Sequence, residues 1–181
     1  MAPPDTTCRL RAPQPADQAE FLALANDSRA LHGHWVRPPR SAAEFSAWLA
    51  RAAEPGHVSW LVCRAGEGGI AGVINLSNIV MGNFRSGYLG YYAMAGQERQ
   101  GLMRAGLSAA VRQAFSVYRL HRLHRLEANI QPGNLASIAL VQACGFHREG
   151  LSPRYLKIAG RGRDHERWAI VADSARPTSN P

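Results

Sequence analysis

Between Ser86 and Tyr118 the hydrophobic pattern changes period, and that change limits what the chain can fold into. Ser86–Met94 (SGYLGYYAM) reads as a strand. Leu107, Val111, Ala114, Phe115 and Tyr118 then recur at helical spacing, which predicts a helix over Leu102–Tyr118. A basic, Gly-containing loop, AGQERQG, joins the two. The first turn of a helix leaves backbone N–H groups unpaired, and its dipole favours negative charge, so such a junction is a ready anion site. Gly101 would let the backbone approach a phosphate, with Arg99 and Arg104 adding charge. Lys-Ser/Thr is absent, which excludes a Walker A loop, and GxGxxG is absent too. An ordinary strand–turn–helix junction with surface arginines explains the same letters.

The flanking sequence sets the fold class. Thr7–Arg11 reads as a short strand, followed by an amphipathic helix through Phe21, Leu24 and Ala25 that starts at Asp17 or at Gln14 with Pro15. Ser41-Ala-Ala-Glu is a capping-box pattern, with Phe45, Trp48 and Leu49 as the buried stripe of the helix it opens. Ser59–Arg64 and Ile70–Val80 are strands joined through Gly66–Gly69, and Met81-Gly82-Asn83 turns the chain before the Ser86 strand. Arg125–Ile130 returns to a strand, Asn134–Cys144 is a helix stopped by Gly145, and His147–Ile158 with Arg163–Ala172 form a last antiparallel pair. The order β α α β β β α β α β β specifies an α/β chain built on a mixed sheet with helices on its faces.

Composition narrows the partners. Twenty-one Lys+Arg against 13 Asp+Glu give a formal charge of +8, which excludes an acidic solvating chain and suits an anionic ligand, nucleic acid or an acidic surface. Nothing in the sequence reads as a bilayer-spanning run or a secretory h-region. Cys8, Cys63 and Cys144 are too scattered for a metal site or a disulfide framework, so a reduced, cytoplasmic protein without a metal is expected. Residues 1–7 and 173–181 are expected to be flexible tails around one domain, 8–172.

Three further segments carry candidate chemistry. In LEANIQPGNLASIALVQACGF, Asn134 is a good helix N-cap with Ser137 on the first turn, and Glu127 lies near the C-terminal end of its strand, where mixed sheets keep their ligands. A capped helix and a solvated edge carboxylate fit equally. YRLHRLHRL (Tyr118–Leu126) is densely basic but has neither an aromatic stacking set nor metal-ligand partners; a solvated helix end is the commoner outcome. HGHWVRPP (His32–Pro39) reads as a fixed loop between two helices, whose Trp35 either lines a pocket or anchors the loop.

Taken together, nearly the whole of Cys8–Ala172 resembles the GNAT superfamily of acetyl-CoA-dependent N-acetyltransferases, and more closely its RimJ/RimL branch, the ribosomal-protein-alanine N-acetyltransferases. Four stretches carry the resemblance: GVINLSNIVMGNF with YLGY, GQERQGLM opening the long helix, HRLEANIQPGNLASIALVQACGF, and YLKIAGRGRDH. It implies a GNAT fold, with a twisted, mostly antiparallel sheet of about seven strands, helices on both faces, and a splay between the fourth and fifth strands.

The resemblance also implies site residues. Arg99, Gln100, Gly101, Leu102, Met103 and Arg104 would wrap the pyrophosphate of acetyl-CoA, and Tyr92, Ala93 and Met94 would hold the pantetheine and thioester. Asn134 and Ser137 match the N-x-x-S of the RimJ/RimL pattern, with Asn on the pantetheine side and Ser near the sulfur. Glu127 falls where the RimI-type ribosomal alanine acetyltransferase has a catalytic glutamate. The implied roles are Glu127 as general base through water and Ser137 as proton donor, with Trp35, Tyr91 and Tyr155 on the acceptor side. Two positions depart from the superfamily. In Gln/Arg-x-x-Gly-x-Gly/Ala, Glu98 and Met103 hold the first and last places; Met103 is matched in the RimJ branch, whereas Glu98 puts a negative charge near the phosphates. Val141 stands where many relatives have a tyrosine acid.

The implied function is acetyl transfer from acetyl-CoA to a primary amine by direct attack in a ternary complex, with the N-terminal α-amine of a protein, such as a ribosomal protein, as acceptor. Direct nucleic-acid binding is not expected, although such an acceptor brings RNA nearby. Two other readings compete: a small-molecule N-acetyltransferase acting on an antibiotic, polyamine or amino acid, and a catalytically weak CoA- or RNA-binding relative.

Overall fold

The computed structural model describes residues 7–66, 68–116, 123–158 and 160–172. The predicted tails, apart from Thr7, and Tyr118 in the basic segment lie outside these residues. Seven strands form one sheet in the order β1-β2-β3-β4-β5-β7-β6. They are β1 (Cys8–Arg11), β2 (Val58–Arg64), β3 (Ile70–Val80), β4 (Ser86–Ala93), β5 (Arg125–Ile130), β6 (His147–Ile158) and β7 (Arg161–Val171). The helices are α1 (Gln18–Asp27), α2 (Arg29–His32), α3 (Ala42–Ala52), α4 (Leu102–Phe115) and α5 (Leu135–Ala143), with a 3-10 turn at Pro15–Asp17 before α1. This is the mixed sheet the sequence specifies. Two elements differ from expectation. α4 ends at Phe115, short of the expected Tyr118, with Ser116 already outside the helix. The segment starting at His32 is not wholly a loop, because His32 ends the short helix α2, whose first residue follows Ser28 directly.

Two compact units make up the chain: Met1–Ser77 with Tyr91–Ala110, and Asn78–Gly90 with Val111–Pro181. In the first, β1 and β2 pair antiparallel from Cys8–Arg64 to Arg11–Leu61, and β2 pairs with β3 in turn. Alternate residues of β2 serve opposite faces. Leu61 and Cys63 join Phe21, Ala25, Phe45, Ile70, Val73, Tyr92 and Met94 in one core under α1 and α3, where Phe21 lies 5.0 Å from the Trp48 ring and 5.1 Å from Phe45. Val62 points the other way, onto α4: a Cβ added at Gly106 would come within 2.8 Å of a Val62 methyl, so the helix lies against bare backbone there. Helices therefore cover both faces. Each large apolar side chain buried this way contributes about 1.5–3 kcal/mol. Ser41 caps α3 by accepting from Glu44 N–H at 3.3 Å, as its pattern predicts. Arg11 fixes the entry to α1 by a two-pronged pair with Asp17, at 2.8 and 2.6 Å.

In the second unit, β5 pairs antiparallel with β7 from Arg125–Val171 to Ile130–Glu166, and β7 pairs with β6. Leu126, Ala128 and Ile130 are buried on one face with Trp168 and Ile170. Arg125, Glu127 and Asn129 take the other face. The β4–β5 pair is parallel and brief: Ser86–Arg125, Gly87–Leu126 and Tyr88–Glu127, after which no further rung joins the two strands among the described residues. This short parallel pairing fits a splay between the fourth and fifth strands.

Candidate active site

In the first unit, β4 leads into the loop before α4 through tightly held backbone. Met94 N–H donates to the Ala71 carbonyl at 2.8 Å, and Gln97 N–H donates to the Met94 carbonyl at 3.1 Å. Tyr92 and Met94 are buried, with burial pushing the Tyr92 phenol up from its ordinary value, and Ala93 and Tyr91 are half-buried. Beyond them, Gly96, Arg99 and Gly101 all have positive φ, at 79°, 59° and 76°. Alternating hand along Arg99–Gly101 is a kind of backbone that can offer N–H groups to an anion. A Cβ built on Gly96 or Gly101 meets nothing within 4 Å, so the space beside both glycines is open.

The loop is braced from β2. One terminal nitrogen of Arg64 donates to Gln97 Oε1 and to Gln100 Oε1, both at 2.6 Å, and Gln100 Nε2 donates to the Gly96 carbonyl at 2.8 Å. The Gln100 side chain is thus a strut within the loop. Leu102 is buried, whereas Arg99, Arg104 and Glu98 are exposed. Met103 packs over Gly72, where any Cβ would collide with its sulfur and with the Tyr92 carbonyl. That bare backbone is why the larger residue fits at a place where the superfamily pattern has Gly or Ala. Trp35 is half-buried and leans on His34, with ring centroids 3.9 Å apart.

In the second unit, Glu127 faces Tyr88 in the last rung of the parallel pair. Its Oε1 accepts from Arg125 Nε at 2.8 Å, while both terminal nitrogens of Arg125 grip Glu149 at 2.9 and 2.5 Å. Arg125 holds the Glu149 carboxyl below its ordinary range. The Tyr88 phenol is pushed up by its hydrogen bond with Tyr155, then by burial and the Glu127 charge. Tyr155 is 39% exposed, and its ring lies 6.1 Å from that of His165. Glu127, Tyr88 and Tyr155 therefore belong to one polar cluster, of which the sequence supplied the two ends and missed the middle. Arg125 and Glu149 were missed as well; their only signal is the alternation that puts Arg125 on the face of Glu127.

Asn134 is the N-cap of α5, its Oδ1 accepting from Ser137 N–H at 3.2 Å. This uses the backbone of Ser137, not its hydroxyl. Val141 is wholly buried, so the place of a tyrosine acid is part of the core. The described end of the basic segment is a tether to the sheet: Leu123 is buried, and His124 N–H donates to the Arg85 carbonyl at 2.8 Å. Among the described residues no three His, Cys, Asp or Glu side chains are placed to hold a metal ion, and no helix is long and apolar enough to cross a membrane.

A family profile for the acetyltransferase (GNAT) domain matches residues 8–147. The chain belongs to the GNAT acetyltransferase family. Among GNAT proteins it is similar to the [ribosomal protein uS5]-alanine N-acetyltransferase of Escherichia coli, at 39% identity over 108 residues, which cover 60% of this chain and 54% of that one. The match thus spans about half the length of that relative. Two solved structures share the fold. Mycobacterium smegmatis RimJ, in complex with CoA-disulfide, aligns with a TM-score of 0.80 at 25% identity, covering 92% of this chain and 85% of the other. The ribosomal-protein-S5-alanine acetyltransferase of Vibrio fischeri aligns at 0.79 and 24%, covering 94% and 96%.

Proposed function

We propose that this GNAT chain transfers acetyl from acetyl-CoA to a primary amine, and that the acceptor is the N-terminal α-amine of a protein, such as a ribosomal protein. The observation that carries the reading is the open, positive-φ loop from Gly96 to Gly101 at the start of α4, braced by Arg64. A diphosphate suits such a loop, because backbone N–H groups and the helix dipole can meet its charge without a side chain in the way. The similarity to the E. coli alanine acetyltransferase supports the acceptor class.

In this reading the loop Arg99–Arg104 takes the pyrophosphate, Tyr92–Met94 takes the pantetheine and thioester, and Asn134 touches the pantetheine through its side-chain amide. Trp35, Tyr91 and Tyr155 meet the acceptor. The amine nitrogen attacks the thioester carbon, the C–S bond breaks, and CoA leaves as the thiolate or thiol. The nitrogen's proton passes to Glu127 through water, and Ser137 donates its hydroxyl proton to the sulfur while regaining one from water. The demand on both groups is small. An α-amine has a pKa of about 8, so deprotonating it at pH 7 costs about 1.4 kcal/mol, and a thiol of pKa about 8.5 leaves well. Most of the acceleration then comes from orientation and from N–H donors on the thioester oxygen.

The test is turnover of acetyl-CoA against peptides starting with Ala, Ser or Met, with free polyamines alongside. Transfer to a peptide α-amine is expected; transfer to polyamines alone would move the acceptor to small molecules.

A further inference from the structure

Two buried polar side chains of the first unit, Ser28 and His32, grip the backbone where β4 passes into the donor loop, His32 at the last residue of the strand and Ser28 at the first of the loop. Ser28 joins α1 to α2 and His32 closes α2 one helical turn later; they are 0% and 3% exposed. Ser28 Oγ accepts from Ala95 N–H at 2.8 Å and donates to the Leu24 carbonyl at 2.6 Å. His32 Nε2 lies 2.8 Å from the Ala93 carbonyl oxygen. A carbonyl only accepts, so Nε2 carries the proton, and the lone pair of the neutral ring lies on Nδ1. That Nδ1 is buried with no hydrogen-bond partner. The ring also stands edge-on to Tyr92, with centroids 5.3 Å apart at 78°.

The backbone on either side of Met94 is therefore held from the corner between two helices, while the Met94 N–H is held by Ala71. Packing alone does not call for this arrangement. An apolar side chain of similar size at position 32 would fill the space without leaving a ring nitrogen unpaired, and buried polar groups normally find partners. What the imidazole adds is one directed hydrogen bond, to the carbonyl between Tyr92 and Met94. A hydrogen bond there fixes the plane of the peptide that follows Ala93.

We infer that His32, with Ser28, is a positioning residue for acetyl transfer, clamping Ala93 and Ala95 so that the end of β4 presents the thioester in a fixed place. The clamp rests on the reading of Tyr92–Met94 as the thioester strand. It predicts a split between binding and turnover, because the phosphates are held elsewhere.

His32→Leu and His32→Gln in the full-length chain separate the clamp from simple filling, with CoA affinity and stoichiometry measured by calorimetry and kcat measured with the preferred amine. Misplacing a reacting group by about 1 Å can cost about 100-fold, so His32→Leu is expected to lose about 10- to 100-fold in kcat while its Kd for CoA stays within about twofold. The glutamine amide can donate to the same carbonyl and is expected to restore most of the rate. Unchanged kcat in His32→Leu overturns the clamp, as do equal losses in both variants or a loss that follows CoA affinity. Should His32→Leu fail to fold, Ser28→Ala makes the same comparison: slow turnover with wild-type CoA affinity is expected, and wild-type turnover overturns the clamp. Wild-type protein that binds no CoA overturns the acetyl-CoA reading itself, whereas active wild type with indifferent variants overturns only the clamp.

Discussion

Arg125 Nε donates to Glu127 Oε1 at 2.8 Å across two positions of β5, and the same guanidinium holds Glu149 with its other two nitrogens. The base we propose for the reaction is thus one arm of a fork. The pair fixes one carboxylate oxygen and the plane of the group, and leaves Oε2 as the oxygen that can take a proton from water. The Glu127 side chain is 19% exposed, enough for that water to reach it.

Glu127→Gln is expected to lower kcat with little change in the KM for acetyl-CoA. General-base groups contribute about 10²- to 10⁴-fold, and an α-amine near its own pKa puts the loss at the lower end, about 100-fold. The defect should shrink as pH approaches 9, where the amine deprotonates by itself. Steady-state rates from pH 6.5 to 9 read this directly. A loss that is the same at every pH would give Glu127 a structural role in the fork.

Gly101→Val tests the proposed phosphate loop. At φ 76° a β-branched residue is strained, and its side chain would enter the space that a Cβ at this position finds open. CoA affinity should fall by more than about tenfold, and wild-type affinity should itself weaken as salt screens the loop. Arg64→Met is the companion variant, because it removes the strut to Gln97 and Gln100 and leaves the loop unobstructed. It should weaken CoA by less than Gly101→Val. Calorimetry at two salt concentrations orders the three proteins, and unchanged affinity in Gly101→Val would remove the loop from the donor site.

Acid should destabilise the protein in two steps. Burial first, and then the nearby Arg40 charge, hold the His32 pKa below its ordinary value, with the Tyr92 ring and the Ala93 carbonyl as its other neighbours. The unfolded chain therefore binds the proton more readily, and stability should decline as pH falls below about 6.5, where an unfolded histidine titrates. Asp17, lowered by its bond to Arg11, and Glu149, lowered by its bond to Arg125, act later. Their contributions are present above about pH 4 and are lost as pH falls through their folded values. Melting temperatures between pH 8 and 3 should show both declines, and His32→Gln should abolish only the first. Retention of the first decline in that variant would assign it to another group.

How much of this was legible in the sequence depends on the range of the interaction. β3 (Ile70–Val80) and β5 (Arg125–Ile130) lie where the sequence pattern puts them: β5 alternates, which leaves one register for a half-buried strand, and β3 opens on an apolar run buried on both faces. Ser41 and Asn134 were readable as caps because a cap is a contact three residues long. The Arg125–Glu149 pair spans 24 positions and Arg64–Gln100 spans 36, and no local pattern links such residues. The hold of Ser28 and His32 on the end of β4 was illegible for another reason. Their helix, α2, is four residues long, too short for any periodicity to show which face is buried.

Ser137 separates a capped helix from a working hydroxyl. Its backbone N–H, not its side chain, receives the Asn134 cap, so Ser137→Ala keeps that bond. Alanine is the better helix former, which limits any cost in stability to a few tenths of a kcal/mol, about the size of the propensity difference. If the hydroxyl protonates the departing sulfur, kcat should fall about tenfold, or about 1.4 kcal/mol, with the melting temperature unchanged. The effect stays modest because a thiol of pKa about 8.5 departs readily even as the thiolate. It should therefore deepen with an acyl donor whose thiol is less acidic, since a poorer leaving group depends more on a proton. A well-folded Ser137→Ala protein turning over at the wild-type rate with both donors would leave water as the proton source.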